Sequence, residues 1–311
     1  MNQSVLITGG FGFLGRAVAR RFKREGWRVL GIGRGRWPAE EALARGFDVW
    51  LDAGVSLPSL MTLNERFDLV VHCAGNGSVG YSLTNPLQDF YKTVQGTADL
   101  LEYLRLTESS ALLVYPSSAG VYGARPDAPI RETDPLEPIS PYGVHKKITE
   151  ELLASYSRSY GVRVAIVRFF SIYGRGLTKQ LLWDASARLR AATDPPAVFW
   201  GTGEETRDWI SSEDAAGLIG VVAQSDAHFC ILNGASGERV TVRRTLELLN
   251  HALGGEAQFE FNGAVRPGDP RFYHADVSRA QALGWKPAIA LEQGMANYVR
   301  WLRAHGSHLD D

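Results

Sequence analysis

The sequence predicts an α/β chain: a doubly wound parallel sheet with helices on both faces, followed by a smaller C-terminal α/β lobe. Three observations carry that expectation. Short, continuously apolar runs alternate with helical patterns through the first half of the 311 residues, which is how strands buried on both faces read. A glycine-rich turn joins the first of these runs to the first helical pattern. After about Phe170 the alternation breaks, and a Gly/Pro-rich stretch at 262–270 interrupts the C-terminal part of the chain. The length suits two lobes or one large α/β unit.

Taken in order, residues 4–8 are a β-rich run, and the turn 9–15 leads into a helix reaching about Glu25, with Gly26 as its stop signal. Residues 28–32, 47–51 and 68–72 are the next strands. Residues 86–106 read as one long helix and 111–115 as a strand. Residues 141–160 read as a helix, opened by Ser140 as N-cap with Pro141 in its first turn. Residues 162–169 close this series as a strand. Beyond it, 178–191, 211–223, 241–253 and 291–303 have helical patterns, 197–200 is a short strand, and 229–232 is a strand returning to the main sheet. The expected division is 1–170 with a returning segment at about 205–232 for the first lobe, 171–204 with 233–305 for the second, and a frayed tail at 306–311.

Composition excludes several classes of function. The chain is 45% hydrophobic, and 33 Lys+Arg against 34 Asp+Glu leave a net charge of -1. That is neither a disordered chain nor one with the basic footprint that nucleic acid or an anionic membrane requires. No apolar run reaches the length of a membrane span, and no basic n-region precedes an apolar stretch at the start. Cys73 and Cys230 have no C-x-x-C partner, which argues against a zinc cage or disulfide framework and for a reducing compartment. The cytoplasm is the expected location. No His/Asp/Glu cluster has metal spacing, so no metal is expected.

Gly9, Gly12 and Gly15 follow the first strand and open the first helix, with Phe13 and Leu14 as its first residues. The first glycine permits the tight turn, the second lets backbone approach a pyrophosphate, and the third lets helix and sheet pack closely. The free N–H groups at the helix start then face the negative charge. In that context the pattern predicts a dinucleotide site. At the end of the second strand Gly33 stands where an acidic residue would hold a ribose 2′-hydroxyl, and Arg34 comes next. A guanidinium pairs with a 2′-phosphate, so the expected cofactor is NADP or NAD, with NADP favoured; Arg34 and Arg36 as solvated loop charges is the plain alternative. Tyr142 and Lys146 form Y-x-x-x-K, four apart on one helical face. A nearby ammonium favours tyrosinate, which predicts a lowered tyrosine pKa and a group able to take and give a proton.

The glycine spacing after Thr8, the Y-x-x-x-K pair and the stretch Ser117-Ser118-Ala119-Gly120-Val121-Tyr122-Gly123 together resemble the extended short-chain dehydrogenase/reductase family, and within it the nucleotide-sugar epimerases and dehydratases such as UDP-glucose/UDP-galactose 4-epimerase. The resemblance implies a Rossmann-type sheet with a nucleotide-sugar-binding lobe, and it covers nearly the whole chain. It implies that Ser118, with Ser117 as the second choice, orients the substrate oxygen beside Tyr142, that Asp52 contacts adenine, and that Ala74 and Gly75 pass under the cofactor. On the substrate side it implies Ser78, Ser171, the diphosphate-binding Arg207 and Arg266, and Asp269.

Departures from the family pattern are also legible. Ala119-Gly120 stands where 4,6-dehydratases carry Asp-Glu, which removes the acid and base needed for elimination. Gly77 stands where UDP-galactose 4-epimerases often carry a polar or charged residue, and Thr93 and Ser171 stand where they have Asn. The leading expectation is therefore a nucleotide-diphosphate-sugar epimerase acting at C4. An NADPH-dependent 4-keto-sugar reductase is the alternative, and a non-catalytic NAD(P) sensor on the same fold is a third. His72 is expected in the core and His145 on a helix surface. A homodimer is expected through the helices at 86–106 and 141–160.

Overall fold

A computed structural model of the chain describes residues 3–192, 195–255, 257–264 and 270–305. Its strands are β1 (Ser4–Thr8), β2 (Arg28–Gly33), β3 (Val49–Asp52), β4 (Leu69–His72), β5 (Leu112–Ser118), β6 (Arg163–Phe169), β7 (Ser171–Tyr173), β8 (Ala197–Phe199), β9 (Thr206–Arg207), β10 (Trp209–Ser211), β11 (Phe229–Gly234), β12 (Val240–Thr241) and β13 (Phe259–Phe261). Seven of them form one sheet in the order β11-β6-β5-β4-β1-β2-β3, and every neighbouring pair in it is parallel. This is the doubly wound order, whose switch point falls between β1 and β4. The other six strands pair two by two, as β7 with β10, β9 with β12 and β8 with β13.

The helices are α1 (Phe13–Arg24), α2 (Ala39–Ala44), α3 (Leu57–Met61), α4 (Val79–Thr84), α5 (Pro86–Phe90), α6 (Gly96–Leu106), α7 (Pro141–Tyr160), α8 (Gln180–Ala191), α9 (Ser212–Ala223), α10 (Val242–Leu253), α11 (Ser278–Ala282) and α12 (Leu291–His305). Alternation along the strands sorts side chains to two layers. Val5, Ile7, Val29, Leu69 and Val71 pack with α1 and α9 on one face. Leu6, Leu30, Ile32 and Val70 pack with α6 and α7 on the other. This is the period of two a pleated strand imposes. Each fully buried aliphatic side chain contributes about 1.5–3 kcal/mol. A third cluster, including Leu182, Leu246, Leu249, Met295 and Tyr298, joins α8, α10 and α12. Ala280 and Trp285 pack with α1 and α9 rather than with that third cluster. Among the described residues no helix is long and apolar enough to cross a membrane.

Two elements differ from expectation in ways that bear on function. β5 runs to Ser118, beyond the expected end at Tyr115, despite Pro116 in its middle. Its pairing with β4 stops at Val114, while its pairing with β6 continues to Ser118. Pro116 therefore sits where one neighbour has already ended and a missing N–H costs least. The long helix expected at 86–106 is α5, a π-helical turn at Tyr91–Gln95, and α6. The turn buries Thr93 and Val94 beneath the loop after β4.

Candidate active site

The site lies at the carboxyl ends of β1, β4 and β5. Gly9 has φ +65°, and a Cβ there would lie 2.6 Å from the Ala74 nitrogen, so the backbones after β1 and β4 touch at the switch point. A Cβ on Gly15 would lie 2.5 Å from the Gly9 oxygen, which accounts for the third glycine of the motif. Gly12 caps α1 with no side chain of its own, leaving the first N–H groups, on Phe13 and Leu14, to face the turn. The Ala74 N–H donates to Thr8 Oγ1 at 3.2 Å, and Gly75 has φ +127°. This side-chain-free cradle fits a dinucleotide pyrophosphate.

At the other end of the cradle, the Asp52 carboxylate accepts from the Gly35 N–H at 2.9 Å and lies 3.5 Å from Arg36. It thereby ties the loop after β2 to β3. Trp50 Nε1 donates to the Gly35 oxygen at 2.8 Å, and Phe11 stacks on Trp37 with ring centroids 4.4 Å apart. Arg34 is exposed and crosses to the β3 loop, its Nε 3.5 Å from where a Gly54 Cβ would be.

Ser118, Tyr142 and Lys146 converge. Ser140 caps α7, accepting from the Gly143 N–H at 3.2 Å, and this starts the helix with Tyr142 and Lys146 toward β5. Gly143 is required there, since a Cβ would meet the Gly120 oxygen at 2.4 Å. The Tyr142 N–H donates to Ser82 Oγ at 3.0 Å, which joins α7 to α4. Ser118 Oγ accepts from the Gly120 N–H at 3.1 Å and is within hydrogen-bonding reach of the Tyr142 hydroxyl. A Cβ on Gly120 would lie 3.3 Å from Ser118 Oγ and 3.4 Å from the Tyr142 ring, so position 120 is flanked by both side chains. Ser117 faces away, its hydroxyl donating to the buried Glu150 at 2.5 Å. Of the two serines, Ser118 is the one at the site.

Lys146 is buried. Its ammonium donates to the Pro116 oxygen at 3.0 Å and lies 4.5 Å from the Tyr115 ring centroid and 6.0 Å from that of Tyr142. Desolvation brings its pKa down to about 8, against the raising influence of Cys73, Glu150 and Asp89. The tyrosine corrects the expectation of a lowered pKa: desolvation pushes the phenol above its ordinary value, the hydrogen bond with Ser118 pulls it back, and Asp89 pushes it up. At this separation from the ring, the lysine does not outweigh burial.

Behind the site are two buried polar networks that the sequence did not reveal. Glu150 accepts from Arg168 Nε at 3.1 Å and Nη2 at 2.7 Å, and Arg168 donates to Tyr122 Oη at 3.1 Å. Asp89, wholly buried, accepts from Asn76 Nδ2 at 2.7 Å and pairs with His145 Nδ1. His145 is therefore not the surface residue expected; it is the strut between α7 and α5. Asn76 in turn donates to the Ser78 oxygen at 2.8 Å and accepts from its N–H at 3.1 Å, fixing the loop after β4. His72 is in the core as expected, between Thr8 Oγ1 at 2.6 Å and Thr97 Oγ1 at 3.0 Å.

The substrate-side residues are more dispersed. Ser78 caps α4, accepting from the Tyr81 N–H at 3.3 Å. Ser171 opens β7. Arg207 is buried and donates to the backbone oxygens of Thr206 at 2.7 Å and Pro270 at 3.0 Å. Arg266 and Asp269 lie outside the described residues.

The model of the NAD dependent epimerase/dehydratase family matches residues 5–233. A UDP-glucose 4-epimerase of Azospirillum brasilense is 31% identical, over 91% of this chain and 87% of its own. The crystal structure of a UDP-glucose 4-epimerase from Thermotoga maritima with UDP-glucose superposes with a TM-score of 0.88 at 25% identity, covering 97% of this chain and 99% of that one. MoeE5, solved with UDP-glucuronic acid and NAD, superposes with a TM-score of 0.85 at 27% identity and the same coverage.

Proposed function

The chain belongs to the NAD dependent epimerase/dehydratase family, as an enzyme of the extended short-chain dehydrogenase/reductase type, and from that premise we propose that it is a UDP-sugar 4-epimerase working with bound NAD. The observation that carries this reading is the meeting of Ser118, Tyr142 and Lys146 beside the cradle of Gly9 and Gly75. When bound, a nicotinamide dinucleotide supplies acceptance and return of a hydride at the sugar C4. Gly9, Gly12 and Gly15, with the N–H groups of Phe13 and Leu14, would hold its pyrophosphate, and Asp52 its adenine end. Tyr142 Oη would take the proton of the C4 hydroxyl as the phenolate, which a bound nicotinamide's positive charge would favour against burial, and would later return it to the same oxygen. Ser118 Oγ holds that oxygen in line with the phenol. Lys146, positive below about pH 8, supplies the positive charge on the other side of Tyr142 and a donor for the ribose hydroxyls. Ala119 and Gly120 supply no acid and base where the 4,6-dehydratases carry them, which supports epimerisation over elimination.

UDP and NAD are supported by the ligands of the Thermotoga maritima enzyme and MoeE5. The reductase reading rests on Arg34, whose guanidinium a 2′-phosphate would engage. We also propose a homodimer through α5, α6 and α7, where Leu87, Tyr91 and Val144 are exposed; light scattering should give twice the 34.1 kDa chain mass. The reaction is tested with UDP-glucose and UDP-glucuronate deuterated at C4. Retention of deuterium in the 4-epimer is expected, because the hydride returns to the carbon it left. Exchange of the label with solvent would refute hydride return.

A further inference from the structure

His72 stands in the middle of a buried hydrogen-bond chain, and that chain can carry its protons in only one order. The residue ends β4, opposite Thr8 of β1, and is 1% exposed. Its Nε2 lies 3.0 Å from Thr97 Oγ1, and its Nδ1 lies 2.6 Å from Thr8 Oγ1. Thr97 Oγ1 in turn reaches the Thr93 oxygen at 2.6 Å. That carbonyl can only accept, so the single hydroxyl proton of Thr97 is committed to it. Thr97 Oγ1 must then accept from His72, which puts the imidazole proton on Nε2. Both ring nitrogens face neutral hydroxyls, so a second proton would be an unpaired charge in the core, and the ring stays neutral. Nδ1 is therefore an acceptor and takes the Thr8 hydroxyl proton. That leaves the Thr8 oxygen to accept the Ala74 N–H at 3.2 Å.

The two ends of this chain fall on either side of Gly75. One end is the Ala74 N–H. The other is Thr93, whose own hydroxyl accepts from the Asn76 N–H at 3.4 Å. Gly75 between them has φ +127°, and a Cβ there would lie 3.4 Å from Thr93 Oγ1. The floor of the cradle is thus pinned on both flanks, at one through β1 and at the other through the π-helical turn that carries Thr93.

We infer that His72 is a positioning residue for the dinucleotide: held as the neutral Nε2–H tautomer, it ties Thr8 to Thr97 and fixes the Ala74–Gly75–Asn76 backbone on which the cofactor rests. This rests on the dinucleotide reading of the cradle and adds the residue that keeps its floor in shape. The opposite tautomer cannot serve. With the proton on Nδ1, the Nε2 lone pair would face a Thr97 oxygen whose proton is already given to Thr93, and the chain would break. The Thr97 hydroxyl is therefore felt at Ala74, although Thr97 lies on α6, on the other side of the imidazole from the cradle.

The tautomer is read by two-bond ¹H–¹⁵N correlation NMR of the holoenzyme at neutral pH, with His72→Gln assigning the signals. A ring protonated at Nε2 alone is expected; protonation at Nδ1, or at both nitrogens, overturns the assignment. The positioning role is read by exchange of bound NAD for deuterated NAD in wild type, Thr97→Val and Thr97→Ser, followed by mass spectrometry well below each unfolding temperature. Thr97→Val keeps the shape and removes the acceptor. Its bound NAD is expected to exchange about fivefold faster or more, the worth of about one hydrogen bond. Thr97→Ser keeps the hydroxyl and should exchange close to the wild-type rate. A merely structural hydroxyl would lower the unfolding temperature of Thr97→Val and leave its exchange unchanged. That result, or equal acceleration in both variants, overturns the positioning role. Wild type holding no dinucleotide would instead overturn the reading on which it rests, and the NMR result would still decide the proton order.

Discussion

Replacing Glu150 with Ala should damage the protein far more than any surface substitution, and the structure says by how much. The Arg168 and Glu150 side chains are 3% and 5% exposed. Arg168 spends its Nε and Nη2 on the carboxylate, and Nη1 on Tyr122 Oη and the Glu132 oxygen. Glu150→Ala leaves the guanidinium buried with only neutral acceptors, which costs about 3–5 kcal/mol. It also leaves Ser117 without its acceptor, about 1 kcal/mol more. At about 2 °C per kcal/mol for a chain of this size, thermal unfolding should move down by about 8–12 °C. The variant Glu150→Leu with Arg168→Met, which removes both charges and keeps volume, should lose much less, because the cost is that of the stranded charge. Scanning calorimetry of the three proteins checks this. A single variant within about 1 °C of wild type, or a double variant worse than the single, would refute the account of the network.

Three further outcomes come from the site. Tyr142→Phe should keep its bound dinucleotide and lose about 10²–10⁴-fold in kcat, read by cofactor content and turnover on the same sample. Asp89→Asn removes the charge that pushes the Tyr142 phenol up and the acceptor shared by Asn76 and His145. The acidic limb of the activity profile should therefore move to lower pH, and KM should rise as the loop at Ser78 loosens; a merely structural role would leave the profile in place. Burial brings His72 down to about pH 3, so the folded protein resists a proton the unfolded chain accepts below about 6.5. Stability from this group is present above pH 6.5 and falls by about 1.4 kcal/mol per unit below it. His72→Gln should lose the corresponding part of the slope between about pH 6.5 and 4.5 in urea unfolding.

What the sequence disclosed and what it concealed divide by range. The glycine turn, the N-cap Ser140 and Y-x-x-x-K are local patterns, each legible because a turn, a cap or a helical face is set within a few residues. Pro116 misplaced the end of β5, since the exemption that lets proline sit there depends on where the neighbouring strand stops. The π turn at Tyr91–Gln95 left no local mark. His145 looked like a surface residue because its partner Asp89 is 56 positions away. The direction of the Tyr142 shift was misread for a related reason. The lysine four residues on is visible in the sequence, whereas the desolvation that outweighs it is made by the fold.

The proposed reaction is inversion at C4 with a cofactor that the chain holds and regenerates. It is tested most directly by incubating the purified protein, with no dinucleotide added, with UDP-glucose and UDP-glucuronate in turn, and tracking the sugar C4 by NMR. Many turnovers to the 4-epimer of at least one of them are expected, with NAD recovered on denaturing the protein. No epimer from either sugar, together with stoichiometric consumption of added NADPH by a 4-keto sugar, would contradict it and establish the reductase.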